Sequence, residues 1–92
     1  MKEKQIESKL KREVERKGGL ALKFISPTMA GVPDRLILLP VEKIYFVELK
    51  APGKKLRPIQ LKRKKQLESL GFKVYVIDSF KAVDDFIQEV MG

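Results

Sequence analysis

Two short apolar runs, residues 36–39 and 44–47, lie on either side of a short polar break. Runs of this length, joined by so short a break, predict two β-strands connected as a hairpin. If the hairpin is symmetric about Val41, Asp34 and Glu48 lie directly opposite each other, because each is seven residues from Val41. Their Cβ atoms would then be about 4.5–5.5 Å apart, a distance at which like charges destabilise a sheet.

The second of these strands changes character at its end. Side chains alternate between the two faces of a strand, so one face carries Ile44, Phe46, Glu48 and Lys50. A divalent cation would make the pairing of Glu48 with Asp34 favourable, since hard cations take oxygen ligands. Two carboxylates and a lysine at one edge of a hairpin are typical of a phosphodiesterase site. The alternative is an exposed strand end at which Glu48 and Lys50 form a weak ion pair.

Periodicity predicts five further elements. Ile6, Leu10 and Val14 recur every four residues and indicate a helix over residues 4–17, which Gly18 and Gly19 end. Strands are predicted over residues 20–25 and 73–78. A second helix is predicted from Pro58 to about Leu70, and Gly71 ends it. Ser79 caps a third helix, whose apolar stripe consists of Phe80, Val83, Phe86, Ile87 and Val90.

The order helix–strand–strand–strand–helix–strand–helix predicts a single small α/β domain over residues 1–92. The first three strands are expected to form an antiparallel meander, and a right-handed crossover through the second helix leads to the fourth. The product is a mixed four-stranded sheet flanked by helices. The second helix has an apolar side, and Gln60 lies at its margin; that side comprises Leu56, Ile59, Leu67 and Leu70.

The amino-acid composition limits the types of functional site that the chain can form. The chain has no cysteine and no histidine, which excludes disulfides, thiolate zinc sites and a histidine general base. The net charge of +8 favours a polyanionic partner. No segment is long and apolar enough to span a membrane, and no secretory segment follows the polar start, so a cytoplasmic protein without a membrane partner is expected.

The chemistry-bearing residues carry a family resemblance. Pro33-Asp34 followed by Glu48-Leu49-Lys50 resembles the PD-(D/E)XK nuclease signature. The run 31–34, the run 46–53 and the later Gln60 resemble the VRR-NUC branch of that superfamily. The resemblance implies a restriction-endonuclease-like core, in agreement with the element order.

The resemblance also implies site residues. Mg²⁺ or Mn²⁺ would be held by Asp34, Glu48 and the backbone carbonyl of Leu49. Lys50 would orient or activate the attacking water and stabilise developing negative charge. Gln60 would help to position that water; the alternative for Gln60 is a surface side chain with no particular partner.

A glutamate on the first helix is also typical of the family. Glu7 lies about 20° from Val14 around the helix, so the resemblance makes it a third site carboxylate, either a direct metal ligand or a support for the ligands. The alternative is that Glu7 reaches solvent at the edge of the stripe and pairs with Lys11. Glu3 is a rival for the same role, weakened by its place in the first turn.

No acidic residue occurs between Leu49 and Leu67, where basic residues are dense. Basic runs on helices are often only solvated faces, but beside a phosphodiester site they favour contacts with a nucleic-acid backbone. The expected DNA-binding residues are Lys54, Lys55, Arg57, Lys62, Arg63, Lys64 and Lys65.

The sequence is therefore interpreted as a metal-dependent DNA endonuclease without a small-molecule cofactor. Stand-alone domains similar to this one act as homodimers on branched DNA, in the manner of Holliday-junction resolvases, which implies a setting in DNA repair or recombination. Two alternatives remain. One is a non-catalytic module that binds nucleic acid through the basic helix, and the other is a basic subunit-interaction domain of a larger particle.

Overall fold

Residues 1–91, which the computed structural model describes, form the predicted order of helices and strands. Their bounds are α1 Glu3–Arg16, β1 Leu20–Lys23, β2 Arg35–Leu39, β3 Lys43–Leu49, α2 Pro58–Ser69, β4 Val74–Ile77 and α3 Phe80–Met91. The predicted elements are confirmed to within a few residues at their ends. No helix in this part of the chain has both the length and the apolar character needed to cross a membrane.

The four strands form one mixed sheet in the order β1-β2-β3-β4. Neighbours β1, β2 and β3 are antiparallel, and β4 pairs with β3 in parallel. The predicted meander and crossover are thus confirmed, because a parallel neighbour requires the chain to return through a connection such as α2.

The hydrophobic core lies between one face of the sheet and the helices α1 and α3. Apolar residues at helical spacing on α1 and α3 meet alternate residues of the strands, as both periodicities require. The fully buried members with the largest side chains are Ile6, Leu10, Ile37, Ile77, Val14, Val47 and Val83. A salt bridge of 3.0 Å between Lys9 and Asp84 also joins the two helices.

The opposite face of the sheet is only partly covered. Helix α2 has no buried residue, and Leu70, on the predicted apolar side of this helix, is 72% exposed. The reason is that residues 62–65 of α2 are all basic and interrupt its apolar stripe. Leu20, Leu22 and Ile44 on this sheet face are therefore exposed by 53%, 42% and 45%.

The β2–β3 hairpin has the register predicted from its symmetry. Arg35 pairs with Val47 and Leu39 with Lys43, so the register is centred on Val41. Both Val41 and Glu42 have a positive φ, of 66° and 58°. These values are unusual for residues other than glycine, and especially for a β-branched valine.

Candidate active site

Asp34 and Glu48 meet on the less covered face of the sheet. Arg35 pairs with Val47, so the next pair outward in the same register is Asp34 with Glu48. Oδ2 of Asp34 accepts a hydrogen bond of 2.9 Å from the backbone N–H of Leu49. The Asp34 carboxylate is therefore held beside the end of β3 by a group adjacent to Glu48.

The carboxylate of Glu48 is buried without a partner. Its residue is 3% exposed, and within residues 1–91 neither carboxylate oxygen has a hydrogen-bond partner. Burial, followed by the neighbouring Asp34, raises the pKa of Glu48 to about 8, while the positive charge of Lys50 acts in the opposite direction. Buried polar groups in folded proteins are almost always satisfied, so the two oxygens of Glu48 are suited to bind a ligand.

The loop that leads into Asp34 is packed tightly against α2. Gly31 has a φ of +82°, and a Cβ atom at this position would lie 2.7 Å from the carbonyl oxygen of Ile59. A larger residue could not adopt this approach, so the contact between this loop and α2 requires glycine at position 31. The carbonyl of Asp34 also accepts a hydrogen bond of 2.8 Å from Phe24 N–H. The backbone at Asp34 is therefore fixed from two sides.

Lys50 follows β3 on the same sheet face as Glu48. Its backbone N–H donates to the carbonyl of Ile77 at 3.0 Å, which ties this position to β4. In the described residues, Lys50 forms no salt bridge with Glu48 or any other acid. The alternative of an exposed strand end with an ion pair is thus wrong on both counts, since Glu48 is buried and unpaired.

The structure does not bring Glu7 to the two carboxylates. Glu7 forms a salt bridge of 3.0 Å with Arg35, which also donates to the carbonyl of Ala21 at 3.2 Å. Arg35 and Asp34 are consecutive in extended chain and project to opposite faces. Over residues 1–91, no three acidic, histidine or cysteine side chains form a metal-binding group, and the alternative pairing of Glu7 with Lys11 is absent as well.

Gln60 has a defined partner, contrary to the view of it as an unattached surface residue. Its Oε1 atom accepts a hydrogen bond of 2.9 Å from the backbone N–H of Arg57, at the start of α2. This bond satisfies one of the free N–H groups of a helix N-terminus. The carbonyl end of Gln60 is therefore committed to the helix.

The predicted DNA-binding residues fall into two groups. Arg63 donates to the carbonyl of Ala30 and to Gln66, each at 2.8 Å, and Lys64 forms a salt bridge of 2.9 Å with Glu68. These two side chains have structural partners. The remaining five are exposed: Lys54, Lys55, Arg57, Lys62 and Lys65.

Sequence reasoning missed two residues beside the site. Arg35 points away from Asp34, and neither helical nor strand periodicity indicates its pairing with Glu7. Phe24 lies opposite Asp34 across the β1–β2 edge, and its ring packs against Phe46 with centroids 5.7 Å apart. Leu20, Leu22 and Phe24 alternate along the first strand, and this alternation could have indicated that the Phe24 ring lies on the same sheet face as Asp34 and Glu48.

The donor set fits a small hard cation. Mg²⁺ is usually bound through only one or two carboxylates, with water and substrate phosphate completing its coordination. Asp34 and Glu48 supply two carboxylates, and the unsatisfied buried oxygens of Glu48 are the kind of group that a cation would satisfy. The arrangement can therefore hold a divalent cation without a third acidic residue.

Comparisons with known proteins identify the family of the chain. No protein-family model matches the chain. The protein called "Putative nuclease p44" from Acyrthosiphon pisum secondary endosymbiont phage 1 is 52% identical over 79 residues, which is 86% of this chain and 85% of the phage protein. A solved structure described as "VRR_NUC domain" is 36% identical, with a TM-score of 0.88 and 94% of each chain covered. The chain belongs to the VRR-NUC family of nucleases.

Proposed function

We propose that this nuclease hydrolyses phosphodiester bonds in DNA with the help of Mg²⁺ or Mn²⁺ held by Asp34, Glu48 and the backbone carbonyl of Leu49. The observation that carries the proposal is the buried Glu48 carboxylate, which lies opposite Asp34 with both oxygens unsatisfied. Burying an ionised carboxylate alone is costly, and a cation would offset that cost.

The direction of the Leu49 backbone supports its carbonyl as the third ligand. The Leu49 N–H points towards β2, where it donates to Asp34. In an extended strand the N–H and C=O of one residue point to the same side, as the paired bonds of antiparallel ladders show. The Leu49 carbonyl is therefore directed towards the Asp34 side of β3.

The remaining residues act on the water and the phosphate. The cation, when bound, would polarise the phosphate as a Lewis acid and so favour attack by water. Lys50 lies on the Glu48 face and orients or activates the water while stabilising negative charge that develops on the phosphate. The amide group of Gln60 helps to position the water, while its carbonyl keeps the start of α2 in place. Glu7 supports the site indirectly, by holding Arg35 next to Asp34.

The exposed cations of the loop after β3 and of α2 supply the binding surface for DNA. They can contact phosphate groups irrespective of base sequence, which gives binding that weakens as salt is added. Arg63 and Lys64 contribute from the same helix, although each also has an intramolecular partner.

Two finer features complete the proposal. The substrate is branched DNA, as for Holliday-junction resolvases, in a setting of repair or recombination. The active form is a homodimer, because two symmetric sites can cut two strands and because subunit contacts enlarge a small core. The partly open sheet face, with Leu20, Leu22 and Ile44 exposed, leaves apolar surface for such contacts.

A comparison of wild type with Glu48→Gln tests the function. Four-way junction, flap and linear duplex are incubated side by side with Mg²⁺, Mn²⁺ or EDTA. We expect cleavage only by wild type and only with metal, with the junction or flap preferred. Glu42→Gln is the matched control, since it removes a carboxylate from the exposed hairpin turn. Equal cleavage by both proteins, or none, would favour a non-catalytic DNA-binding module instead.

A further inference from the structure

A cavity of about 460 Å³ lies between the segment that follows β1 and the C-terminal half of α2. Its volume is within the range of sites that bind small molecules. Its apolar lining consists of Phe24, Met29, Val32, Leu67 and Leu70.

The cavity adjoins the backbone that carries Asp34. Phe24 lines it, and the N–H of Phe24 donates to the carbonyl of Asp34 at 2.8 Å. Val32 also lines it and precedes Asp34 by two residues. A nucleotide whose phosphate lies at the carboxylates therefore has the cavity within reach of its own base or that of a neighbour.

The walls match the chemistry of a nucleobase, which has apolar faces and a polar edge. Phe24 offers an aromatic surface, and base–aromatic stacking is a recurrent source of affinity for single strands. The polar lining comprises Ser26, Arg63, Gln66 and Ser69. Arg63 is already fixed by Ala30 and Gln66, so a cationic group is in place before DNA binds.

We propose that this cavity binds an unpaired nucleobase adjacent to the scissile phosphate. The inference rests on the proposed function and deepens it, because it gives a physical basis for selectivity towards branched DNA. A paired base would have to leave the helical stack to enter the cavity, whereas a base at a branch point or single-stranded end is already free of that cost.

An abasic scan of the substrate tests the cavity. A flap or junction is prepared with a single abasic nucleotide at each position around the cleaved bond, and kcat/KM is measured with Mg²⁺. We expect a loss of about 5- to 150-fold at one position and little change elsewhere, since stacking contributes about 1–3 kcal/mol per base. Uniform rates across the scan, with metal-dependent cleavage retained, would overturn the inference but leave the proposed function standing.

Protein variants provide the second arm. Met29 and Leu70 are 47% and 72% exposed, so Met29→Ala with Leu70→Ala removes cavity wall with little effect on folding. This double variant should lose activity on the intact substrate and lose its sensitivity to the abasic position. Val41→Ala is the control, because Val41 is an apolar residue, 88% exposed in the hairpin turn, and lies outside the cavity and outside the surfaces proposed for DNA and subunit contacts. An equal loss in Val41→Ala would also overturn the inference.

A binding measurement makes the test independent of cleavage. Glu48→Gln protein is titrated into DNA that carries 2-aminopurine at the sensitive unpaired position, or at each unpaired position in turn. We expect the fluorescence to fall at one position as the base stacks on protein, and the change to disappear when Met29→Ala and Leu70→Ala are added. Binding without a fluorescence change at any position would contradict the proposal even if no cleavage were detected.

Discussion

At the scale of single residues, the site depends on the Glu48 carboxylate, whose position does not stabilise the metal-free protein. Glu48 is buried, lies opposite Asp34 and has no hydrogen-bond partner in the described chain. Lys50 on the same face only partly offsets the rise in the pKa of Glu48. The metal-free protein should therefore be destabilised by Glu48 whenever that carboxyl is ionised.

This cost predicts a pH-dependent stability. The pKa of Glu48 is raised in the folded state from 4.5 to about 8. The contribution of Glu48 to stability is then fully present below about pH 4.5 and is lost as pH rises to about 8. Within this window the free energy of unfolding falls by about 1.4 kcal/mol for each rise of one in pH.

Urea unfolding in EDTA from pH 5 to pH 8.5 should show that the free energy of unfolding of wild type falls relative to that of Glu48→Gln. Adding Mn²⁺ at pH 8 should restore wild type alone, and parallel curves for the two proteins would contradict this expectation.

Lys50 is the residue with the most direct predicted effect on rate. Replacing Lys50 with Met should lower kcat by about 10²- to 10³-fold, the usual loss when one donor to developing charge is removed. DNA affinity should change by less than about threefold, since one phosphate contact of many is lost. The measurement is single-turnover cleavage with Mg²⁺, and Lys54→Met is the control for loss of a nearby positive charge. A similar loss of rate in both variants would assign Lys50 to DNA binding alone.

At the scale of elements, the β2–β3 hairpin brings the site together and carries strain at its turn. Val41 and Glu42 occupy the left-handed region, with φ of 66° and 58°. Residues other than glycine, asparagine and aspartate rarely adopt this backbone conformation. The register that aligns Asp34 with Glu48 is therefore maintained by the pairing and packing of the strands, which hold the turn in an unfavourable backbone conformation.

Relief of this strain should stabilise the protein. Val41→Asn should raise the free energy of unfolding by about 1 kcal/mol, because asparagine tolerates the left-handed region. Val41 is 88% exposed, so little packing is lost. Val41→Thr keeps the branched Cβ and should stay within about 0.5 kcal/mol of wild type. Denaturant unfolding measures both variants, and an equal gain in both would show that relief of backbone strain is not the cause.

Helix α2 is the element expected to set the salt dependence of DNA binding. Its exposed Lys62 and Lys65 extend the basic surface beside the site. Changing both to glutamine should reduce the slope of log K against log salt by about 2, since each phosphate contact contributes about 0.9. Fluorescence anisotropy with Glu48→Gln protein in EDTA measures the slope. The pair Lys4→Gln and Lys11→Gln on α1 is the control, and an equal reduction there would contradict a localised binding surface.

At the scale of the whole molecule, the sheet separates structure from chemistry. One face packs against α1 and α3 and holds the core. The other face carries Asp34, Glu48 and Phe24 beneath a helix with no buried residue. This asymmetry leaves one sheet face accessible for the proposed contacts with DNA and a second subunit, while the core stabilises the strands that present the site.

Mixed dimers test whether two sites act together. If the active form is a homodimer, random exchange of equal amounts of wild type and Glu48→Gln gives about half of the dimers a single active site. Those dimers should nick a four-way junction in one strand, so nicked junction should accumulate at the expense of resolved duplex. Gel analysis of the products measures the ratio. Simple dilution of wild-type activity, with no added nicked product, would indicate that each chain acts alone.

Local patterns were sufficient for much of this protein. A strand has a period of two residues, and a hairpin aligns residues at equal distances from its centre, so the order of elements and the pairing of Asp34 with Glu48 followed from spacing. The sequence could not indicate the depth at which that pair is buried. Burial depends on what α1, α3 and the neighbouring strands cover, and those contacts join residues far apart in the chain.

The sequence by itself therefore determined the fold class, the opposed carboxylates and the basic surface, because each depends on residue type and short-range periodicity. Only the tertiary structure decided that Glu7 binds Arg35, that Gln60 caps α2 and that Leu70 remains exposed. It also decided that Phe24 lines a cavity beside Asp34. These outcomes depend on how much of the sheet face the charged helix α2 covers and on which side chains the fold brings into contact. Neither the burial of a residue nor its contact partners follow a period along the chain.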